Sequence, residues 1–317
     1  MEVTAKITGI KYSPQFCKEL NNYQFKDLKE ALENDSSFII EFEKNKLLAV
    51  SFWVTAKRTM SYPYSRVYNT LSFQGKKVTI IPVFKDEGFD GDRDFLQWDT
   101  ISLMSLLGVY VIISYYSKAE INDNYSNKIT NQRFNIRQLN VNFRKLLSYQ
   151  SDALHWNLSQ IDIIANTAKK ALNSYKKLSN DLQVKMHSED SAQKRINELL
   201  KGKENFLMIS RELAKNAQYR ESQTIQPKEK IEFDKGIITI KNYLGGYYYL
   251  TIDEAKFKDN VLQIIEAKHT KSGDLPSIDD IKDEIVKMIL FSNLEEVKIN
   301  DQLVNFIPIL KLTSNSE

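Results

Sequence analysis

The segment from Asn135 to Arg220 lacks proline and almost lacks glycine. It is rich in Lys, Gln, Asn, Leu and Ala, and apolar residues recur along it every three to four positions, as they do on one face of an α-helix. Proline and glycine disfavour helix interiors most strongly, so a segment of this length without them favours long helices. We therefore expect amphipathic helices here, each with an apolar face that must pack against another element.

The segments on either side of this stretch contain shorter apolar runs that are typical of strands. In the amino-terminal part they lie at residues 38–42, 47–54, 77–84 and 109–115, with a helical pattern at 95–107. In the carboxy-terminal part they lie at residues 237–240, 247–254, 261–269 and 306–312, with a helical pattern at 278–290. The sequence therefore predicts an α/β protein with strands and helices at both ends and a long helical middle.

Length and composition are those of a folded protein with more than one domain. The chain has 317 residues, of which 42% are hydrophobic and 27% are charged, and only 10 are Gly and 6 are Pro. From the changes in pattern we predict three regions: an α/β amino-terminal region at 1–130, a helical region at 131–210 and a carboxy-terminal core at 211–317.

Charge and cysteine content limit which binding partners and which cellular compartment are plausible for the protein. The 44 basic and 41 acidic side chains leave a net charge of only +3, so any surface for an anionic partner must be local. Cys17 is the only cysteine, which excludes an intrachain disulfide and a zinc site built on several thiolates. The amino terminus lacks a secretory signal pattern, and the apolar run at 106–116 is too short to span a bilayer. We expect a cytoplasmic protein that does not associate with membranes.

A predicted β-hairpin brings two acidic residues and one lysine together. Asp259-Asn260 fits a two-residue turn, because both residue types tolerate the positive φ that tight hairpins need. If Lys258 pairs with Val261, the register places Asp253 opposite Glu266. Lys268 follows two residues later on the face of Glu266, because side chains alternate along a strand.

The same register divides the hairpin into two faces. The first is apolar near the turn and ends in charged residues: Ala255, Phe257, Leu262 and Ile264, then Asp253, Glu266 and Lys268. The second is expected to be solvated: Glu254, Lys256, Lys258 and Gln263. The helix at 278–290, which starts with Ser277 and Asp280 as a capping box, is expected to cover the sheet with its apolar residues: Ile278, Ile281, Ile285, Met288 and Ile289.

Two opposed carboxylates at the end of a core face indicate a metal site. Like charges repel, and half-buried charges are costly unless they are paired or bind a metal ion. Oxygen ligands suit Mg²⁺, which can activate water for displacement at phosphorus. We therefore interpret Asp253 and Glu266 as metal ligands, and Lys268 as the group that orients or deprotonates the water and offsets charge in the transition state. The alternative is an ion pair on the rim of a hairpin.

An acidic residue two positions before a lysine is by itself a weak signal, because it also occurs at Asp27, Glu254, Asp280 and Glu296. Asp27 and Asp280 fall in helical patterns, and Glu254 falls on the polar face of the hairpin. Glu296 has no upstream carboxylate in a paired strand. Only Glu266 ends an apolar strand opposite an acid.

The stretch TIDEAKFKDNVLQIIEAKHTK, residues 251–271, resembles the PD-(D/E)XK nucleases, and type II restriction endonucleases in particular. The resemblance extends over residues 212–312, where a helix, three strands, a helix and a strand follow the order of the family's core, a mixed sheet flanked by helices. Ile252 stands where the family has proline. The resemblance implies that Asp253 and Glu266 bind Mg²⁺ and that Lys268 is the catalytic lysine, with Glu212 or Glu221 as a further glutamate.

The function implied by the resemblance is Mg²⁺-dependent, sequence-specific cleavage of double-stranded DNA, with the rest of the chain supplying target recognition and a possible homodimer surface. His269 and Lys271 are candidates for phosphate contacts. A repair, junction-resolving or other defence nuclease with the same core is an alternative, and so is a nucleic-acid-binding module without catalysis. The acidic loop from Asp90 to Asp94 is expected to cap the helix at 95–107, with metal binding or DNA reading as the other interpretation.

Overall fold

The computed structural model describes residues 1–43, 46–56, 63–200, 235–271 and 273–315, together with residues 208, 212, 215, 216 and 219. Within them the chain is mixed α/β, which confirms the predicted fold class. The strands are β1 (Glu2–Ile7), β2 (Asn22–Gln24), β3 (Ser37–Glu41), β4 (Leu47–Phe52), β5 (Lys76–Pro82), β6 (Phe84–Asp86), β7 (Arg93–Phe95), β8 (Val109–Ser114), β9 (Tyr116–Ile121), β10 (Ile129–Phe134), β11 (Gly236–Asn242), β12 (Tyr247–Ile252), β13 (Glu254–Lys258), β14 (Val261–Thr270), β15 (Glu295–Ile299), β16 (Gln302–Leu303) and β17 (Asn305–Ser314). The α-helices are α1 (Leu28–Asn34), α2 (Pro63–Tyr68), α3 (Trp98–Leu106), α4 (Ile136–Ser148), α5 (Ala153–Leu182), α6 (Glu189–Leu200) and α7 (Ile278–Ser292).

The chain divides into two compact units that differ from the three predicted regions. One, which we call the terminal unit, consists of Met1–Phe16 and Ile209–Glu317, and the other, the central unit, consists of Cys17–Met208. The first strand joins the carboxy-terminal elements because β1 pairs in parallel with β11 and antiparallel with β15. The long helices belong with the α/β elements before them because α5 packs on β8 and β9.

The core of the central unit is a five-stranded sheet in the order β2-β3-β4-β5-β8. Only β3 and β4 are antiparallel, and the other neighbours run parallel. All six residues of β8 are buried, as in strands that are covered on both faces. Helix α4 contributes three fully buried side chains to this core: Leu139, Phe143 and Leu146.

Strand β8 ends the order of this sheet, and two side chains of α5 bind three of its backbone groups. The buried Asn157 accepts a hydrogen bond from the backbone N–H of Val111 (2.7 Å) and donates to the carbonyl of Val109 (2.9 Å). The indole N–H of Trp156 donates to the carbonyl of Val111 (2.7 Å). The helix therefore takes the place that a further strand would occupy.

The acidic loop does not cap α3, contrary to the prediction. That helix begins at Trp98, its N-cap is Gln97, and the Gln97 side chain makes no capping bond. Asp94 lies in β7 and accepts a hydrogen bond from the Thr55 hydroxyl (2.8 Å). The loop carboxylates are thus drawn to nearer donors, because a short β6–β7 pairing precedes the helix.

The terminal unit contains two sheets. The larger has the order β12-β11-β1-β15-β16, and the smaller has the order β13-β14-β17. Strands β14 and β17 run parallel over ten residue pairs, and α7, which lies between them in sequence, packs on both. A crossover helix between parallel strands is the usual solution to this connection.

Helix α7 has the predicted cap but a different buried face. The Ser277 hydroxyl accepts a hydrogen bond from the backbone N–H of Asp280 (3.2 Å), which confirms the N-cap. Of the predicted apolar face, Ile289 is buried, whereas Ile278 is 50% exposed and Ile281, Ile285 and Met288 are only partly buried. The helix instead buries Lys282, Glu284, Val286, Leu290 and Phe291 with Ile289. Charged residues face inward because the strand beneath them also carries charges.

No helix among the described residues combines the length and the hydropathy needed to cross a lipid bilayer.

Candidate active site

The hairpin β13–β14 has the predicted register. Lys258 pairs with Val261, and the ladder continues to the pair Glu254 and Ile265. Asp259 and Asn260 form the turn with φ of 52° and 62°, in the left-handed region that the two-residue turn requires. The turn sequence therefore fixes which residues lie opposite each other along the hairpin.

Asp253 lies where the chain leaves one sheet and enters the other, between the end of β12 at Ile252 and the start of β13 at Glu254. Its Oδ2 accepts a hydrogen bond from the backbone N–H of Ala267 (2.8 Å). Ala267 separates Glu266 from Lys268, so this bond ties the Asp253 carboxylate directly to the Glu-Ala-Lys segment of β14. Burial raises the pKa of Asp253, and the nearby Glu284 raises it further.

Glu266 is a fully buried carboxylate. Its Oε2 accepts a hydrogen bond from Lys287 Nζ (3.0 Å), and its Oε1 has no hydrogen-bond partner among the described residues. Burial raises the pKa of Glu266 well above its usual range, and the charges of Asp253 and Glu284 add to the rise, which Lys287 offsets only in part. An unpaired buried acceptor is costly, so this oxygen is suited to bind a cation or a proton donor.

Lys268 is held by two acidic residues of α7. Its ammonium lies 3.2 Å from Asp280 Oδ1 and 3.6 Å from Glu284 Oε1, and its side chain is 30% exposed. Burial alone would lower the pKa of Lys268, but the carboxylates of Glu284 and Asp280 outweigh it and raise that pKa. The side chain is therefore a cation at neutral pH, which favours charge stabilisation over deprotonation of water.

Lys287 is a member of the cluster that the sequence did not predict. Its ammonium lies 2.7 Å from Glu284 Oε2 and 3.0 Å from Glu266 Oε2, and it bridges the helix and the strand. The sequence does hold a signal, because Asp280, Glu284 and Lys287 follow each other at spacings of four and three and so share one face of a helix. The predicted buried face of α7 consists of its apolar residues instead.

Glu254 and Phe257 depart from the predicted hairpin faces. Glu254, expected on a solvated face, is 1% exposed, and its Oε1 accepts a hydrogen bond from Lys311 Nζ (3.0 Å). Its burial follows from β17, which carries Lys311 and covers the other edge of β14. Phe257, expected in the core, is 44% exposed because it lies next to the turn.

The remaining predicted residues do not join this cluster. His269 follows Lys268 and so lies on the opposite face of β14, where its Nδ1 is 2.9 Å from Thr313 Oγ1. Lys271 is exposed just beyond the end of the strand, and Glu212 is exposed. Glu221 lies outside the described residues. The structure thus brings Asp253, Glu266 and Lys268 together and leaves the two candidate phosphate contacts apart from them.

The donor set of the cluster fits a divalent cation. Four carboxylates (Asp253, Glu266, Asp280 and Glu284) face two ammonium groups (Lys268 and Lys287), which leaves a formal charge of −2 when all six are ionised. Within the described residues, no group of three or more His, Cys, Asp or Glu side chains is arranged to hold a metal ion. Two carboxylates suffice for Mg²⁺, which keeps several water ligands and takes oxygen donors. Asp253 and Glu266 are the pair that could bind it.

Comparisons of the chain with protein-family models, with curated proteins and with solved structures found no significant match.

Proposed function

We propose that the terminal unit is a Mg²⁺-dependent nuclease that hydrolyses phosphodiester bonds in double-stranded DNA, with Asp253 and Glu266 as metal ligands and Lys268 as the catalytic cation. The observation that carries this proposal is the hydrogen bond from the Ala267 N–H to Asp253, which ties the first carboxylate to the segment that bears the other two groups. The unpaired Oε1 of the buried Glu266 supports the assignment of the second ligand.

The acidic side chains would bind the metal ion, and the basic side chains would stabilise negative charge. A bound Mg²⁺ would act as a Lewis acid and lower the pKa of a water molecule. Asp253 is positioned by the hydrogen bond that its Oδ2 accepts from the Ala267 N–H, and its other oxygen would bind the metal ion. Lys268 is protonated and anchored by Asp280, so its ammonium can stabilise the negative charge that develops on a phosphate oxygen. Lys287 neutralises Glu266 when no metal ion is bound.

The order of elements around the cluster supports the same proposal. The carboxylate of Asp253 follows β12, the Glu-Ala-Lys segment lies on β14, and α7 then leads to β17, which runs parallel to β14. The order agrees in part with the three strands, helix and strand that the resemblance to PD-(D/E)XK nucleases implies. It differs in two respects: the predicted strand at 247–254 is divided between β12 and β13, which lie in different sheets, and β15 and β16 stand between α7 and β17. The residues predicted to form the helix before these strands lie largely outside the described residues.

We further propose that the enzyme is of the site-specific restriction type, that the central unit contributes to target recognition, and that a palindromic target would require a homodimer. A repair, junction-resolving or other defence nuclease would use the same cluster. Side-by-side digestion separates these: discrete fragments of unmethylated phage DNA favour restriction, whereas preferential cutting of branched DNA favours junction resolution.

The catalytic assignment is tested with charge-matched pairs of variants. Asp253→Asn and Lys268→Met should each lower the cleavage rate of plasmid DNA in Mg²⁺ by at least a hundredfold while DNA binding in Ca²⁺ persists. The controls are Asp259→Asn and Lys258→Met, which make the same replacements at the exposed hairpin turn and should leave the rate within twofold. Equal rates for Asp253→Asn and Asp259→Asn would refute the assignment.

One observation favours a second candidate, a nucleic-acid-binding module without catalysis. Lys287 already pairs with both Glu266 and Glu284, so the cluster is partly neutralised by the protein's own cations. Tight DNA binding with no cleavage in Mg²⁺, Mn²⁺ or Co²⁺ would establish this alternative.

A further inference from the structure

The central unit contains a cavity of about 650 Å³ that the proposed nuclease cluster does not use. Its lining comes from α1, β4, β9, β10, the start of α4 and α5, all within residues 29–177. Protein pockets for small organic ligands span roughly 300–1,000 Å³. The volume is therefore that of a ligand site for a molecule well above the size of a single ion.

Aromatic side chains form one wall of the cavity. Tyr116 and Phe134 stack with ring centroids 4.5 Å apart, and the ring of Phe52 meets Phe134 edge to face at 6.2 Å. The Tyr116 hydroxyl donates to the carbonyl of Val54 (2.9 Å), which fixes its ring. Phe52 and Val54 are only half-buried. The guanidinium of Arg66 lies over the Phe52 ring, 5.0 Å from its centroid, so a ligand can meet only the remaining surface of that ring.

Cations surround this wall in excess over acids. The lining includes five basic residues (Lys29, Lys118, Arg133, Arg137 and Lys177) and one acidic residue, Glu33. Lys29 and Arg133 lie 3.9 and 3.7 Å from the Glu33 carboxylate, so they are already partly neutralised. Among the described residues, none forms an ion pair with Lys118, Arg137 or Lys177. These three come from β9, α4 and α5, so positive charge reaches the cavity from three elements.

We propose that this cavity binds a nucleoside phosphate, either a free mononucleotide or one nucleotide of a DNA strand. The half-buried ring of Phe52, backed by the buried rings of Phe134 and Tyr116, suits contact with a base. The three cations without an ion pair suit a phosphate that carries up to two negative charges. A single carboxylate on an aliphatic chain would leave most of that positive charge unmatched. The proposal goes beyond the nuclease activity and does not depend on it, because every residue that it uses belongs to the central unit.

Binding to the full-length protein is measured by calorimetry with three probes: dTMP, thymidine and a twelve-nucleotide single-stranded thymidine oligomer. We expect dTMP to bind and thymidine to bind at least tenfold more weakly, because the cations contact the phosphate. Comparable affinities for dTMP and the oligomer identify a free nucleotide as the ligand, whereas an oligomer that binds at least tenfold more tightly identifies a unit of a strand.

Two pairs of variants assign the binding to the cavity. Lys118→Gln with Lys177→Gln should weaken binding of dTMP or the oligomer at least tenfold. The control, Lys145→Gln with Lys169→Gln, removes two exposed lysines of the central unit that do not line the cavity and should leave binding within twofold. Phe52→Leu keeps an apolar side chain but removes the ring, and should weaken dTMP at least threefold while binding of pyrophosphate is unchanged.

The proposal is overturned if neither dTMP nor the oligomer binds, or if both lysine pairs weaken binding equally. Binding of laurate with none of dTMP would also overturn it and would identify an aliphatic anion as the ligand. The variant Asp253→Asn tests the two proposals separately. It should abolish cleavage and leave nucleotide binding unchanged, so failure of the nuclease proposal and failure of the nucleotide-binding proposal give different results.

Discussion

Replacing Lys287 by methionine removes the only cation that contacts the Glu266 carboxylate among the described residues. Methionine has nearly the same length and no charge, so the change leaves the shape of the side chain and removes the ion pairs with Glu266 and Glu284. In the absence of metal, Glu266 then becomes a fully buried carboxylate with no counter-charge in contact. The variant therefore measures what the bridge between α7 and β14 contributes.

The expected loss of stability in Lys287→Met follows from the burial of Glu266. Breaking a buried ion pair by removing one partner costs about 3–5 kcal/mol. Glu266 can avoid part of this cost by binding a proton, because its pKa is already raised. We therefore expect a loss at the lower end of this range, about 3 kcal/mol. This is a large part of the free energy of unfolding of a typical protein, which is about 5–15 kcal/mol.

The assay must report on the terminal unit, and tryptophan fluorescence does not. The three tryptophans of the chain (Trp53, Trp98 and Trp156) all lie in the central unit. Amide hydrogen exchange of the segment Val261–Thr270, measured by mass spectrometry, reports the opening of β14 instead. A loss of about 3 kcal/mol should speed its exchange roughly a hundredfold at pH 7, since each 1.4 kcal/mol is a factor of about ten.

Two comparisons connect this measurement to the metal. In Lys287→Met, Mg²⁺ at a hundred times its Kd should restore about 2.7 kcal/mol of protection. In the double variant Lys287→Met with Glu266→Gln, the neutral amide needs no counter-charge, so the rescue should be small. The loss should be smaller than in Lys287→Met and should reflect only Glu284, which loses Lys287 but keeps Lys268 at 3.6 Å. Lys258→Met, at the exposed turn, is the control and should exchange as the wild type does.

Two outcomes would refute the reasoning. Exchange in β14 that changes less than fivefold in Lys287→Met would show that the bridge does not stabilise the strand. Equal rescue by Mg²⁺ with and without Glu266→Gln would show that Glu266 is not a ligand.

Two further predictions concern the stability of each unit. The pKa of Glu266 in the folded protein is raised well above its usual value of 4.5, so the stabilisation from its protonated form is fully present below pH 4.5 and is lost as pH rises through the folded pKa. The metal-free wild type should therefore lose protection in β14 with rising pH relative to Glu266→Gln, and a difference that does not change with pH would contradict the shift. In the central unit, Asn157→Ala should lower the free energy of unfolding by about 2–6 kcal/mol, because it leaves the Val111 N–H and the Val109 carbonyl buried without partners at about 1–3 kcal/mol each. Urea denaturation followed by tryptophan fluorescence checks this, with the exposed Asn173→Ala on the same helix as the control, and similar midpoints for the two would disprove it.

The hairpin at the candidate site could be predicted because its determinants are local. Asp259-Asn260 specifies the turn, the turn specifies the register, and the alternation of side chains then places Glu266 and Lys268 on one face. The position of Asp253 was predicted only approximately. The ladder ends at Glu254, the residue next to Asp253. A hydrogen bond from the Ala267 N–H to the Asp253 side chain takes the place of the expected pairing with Glu266.

What the sequence did not predict depends on partners distant in the chain. Strand β1 pairs with β11, more than 200 residues later, and no local pattern of residues 2–7 indicates that pairing. Glu254 is buried because Lys311, on β17, supplies its counter-charge. Lys287 faces inward because the strand beneath α7 presents carboxylates, whereas an apolar surface would have selected the isoleucines.

The contact between α5 and β8 has a consequence for how the protein behaves in a crowded solution. An open strand edge is a template on which the chains of other molecules can add and aggregate. Trp156 and Asn157 occupy the donors and acceptors of Val109 and Val111 that such a chain would need. The opposite end of the same sheet is β2, which is only three residues long. Both edges of the sheet are thus protected from the addition of strands from other molecules, β8 because α5 covers it and β2 because it is short. Loss of Asn157 would expose the edge at β8, the longer of the two strands, to self-association.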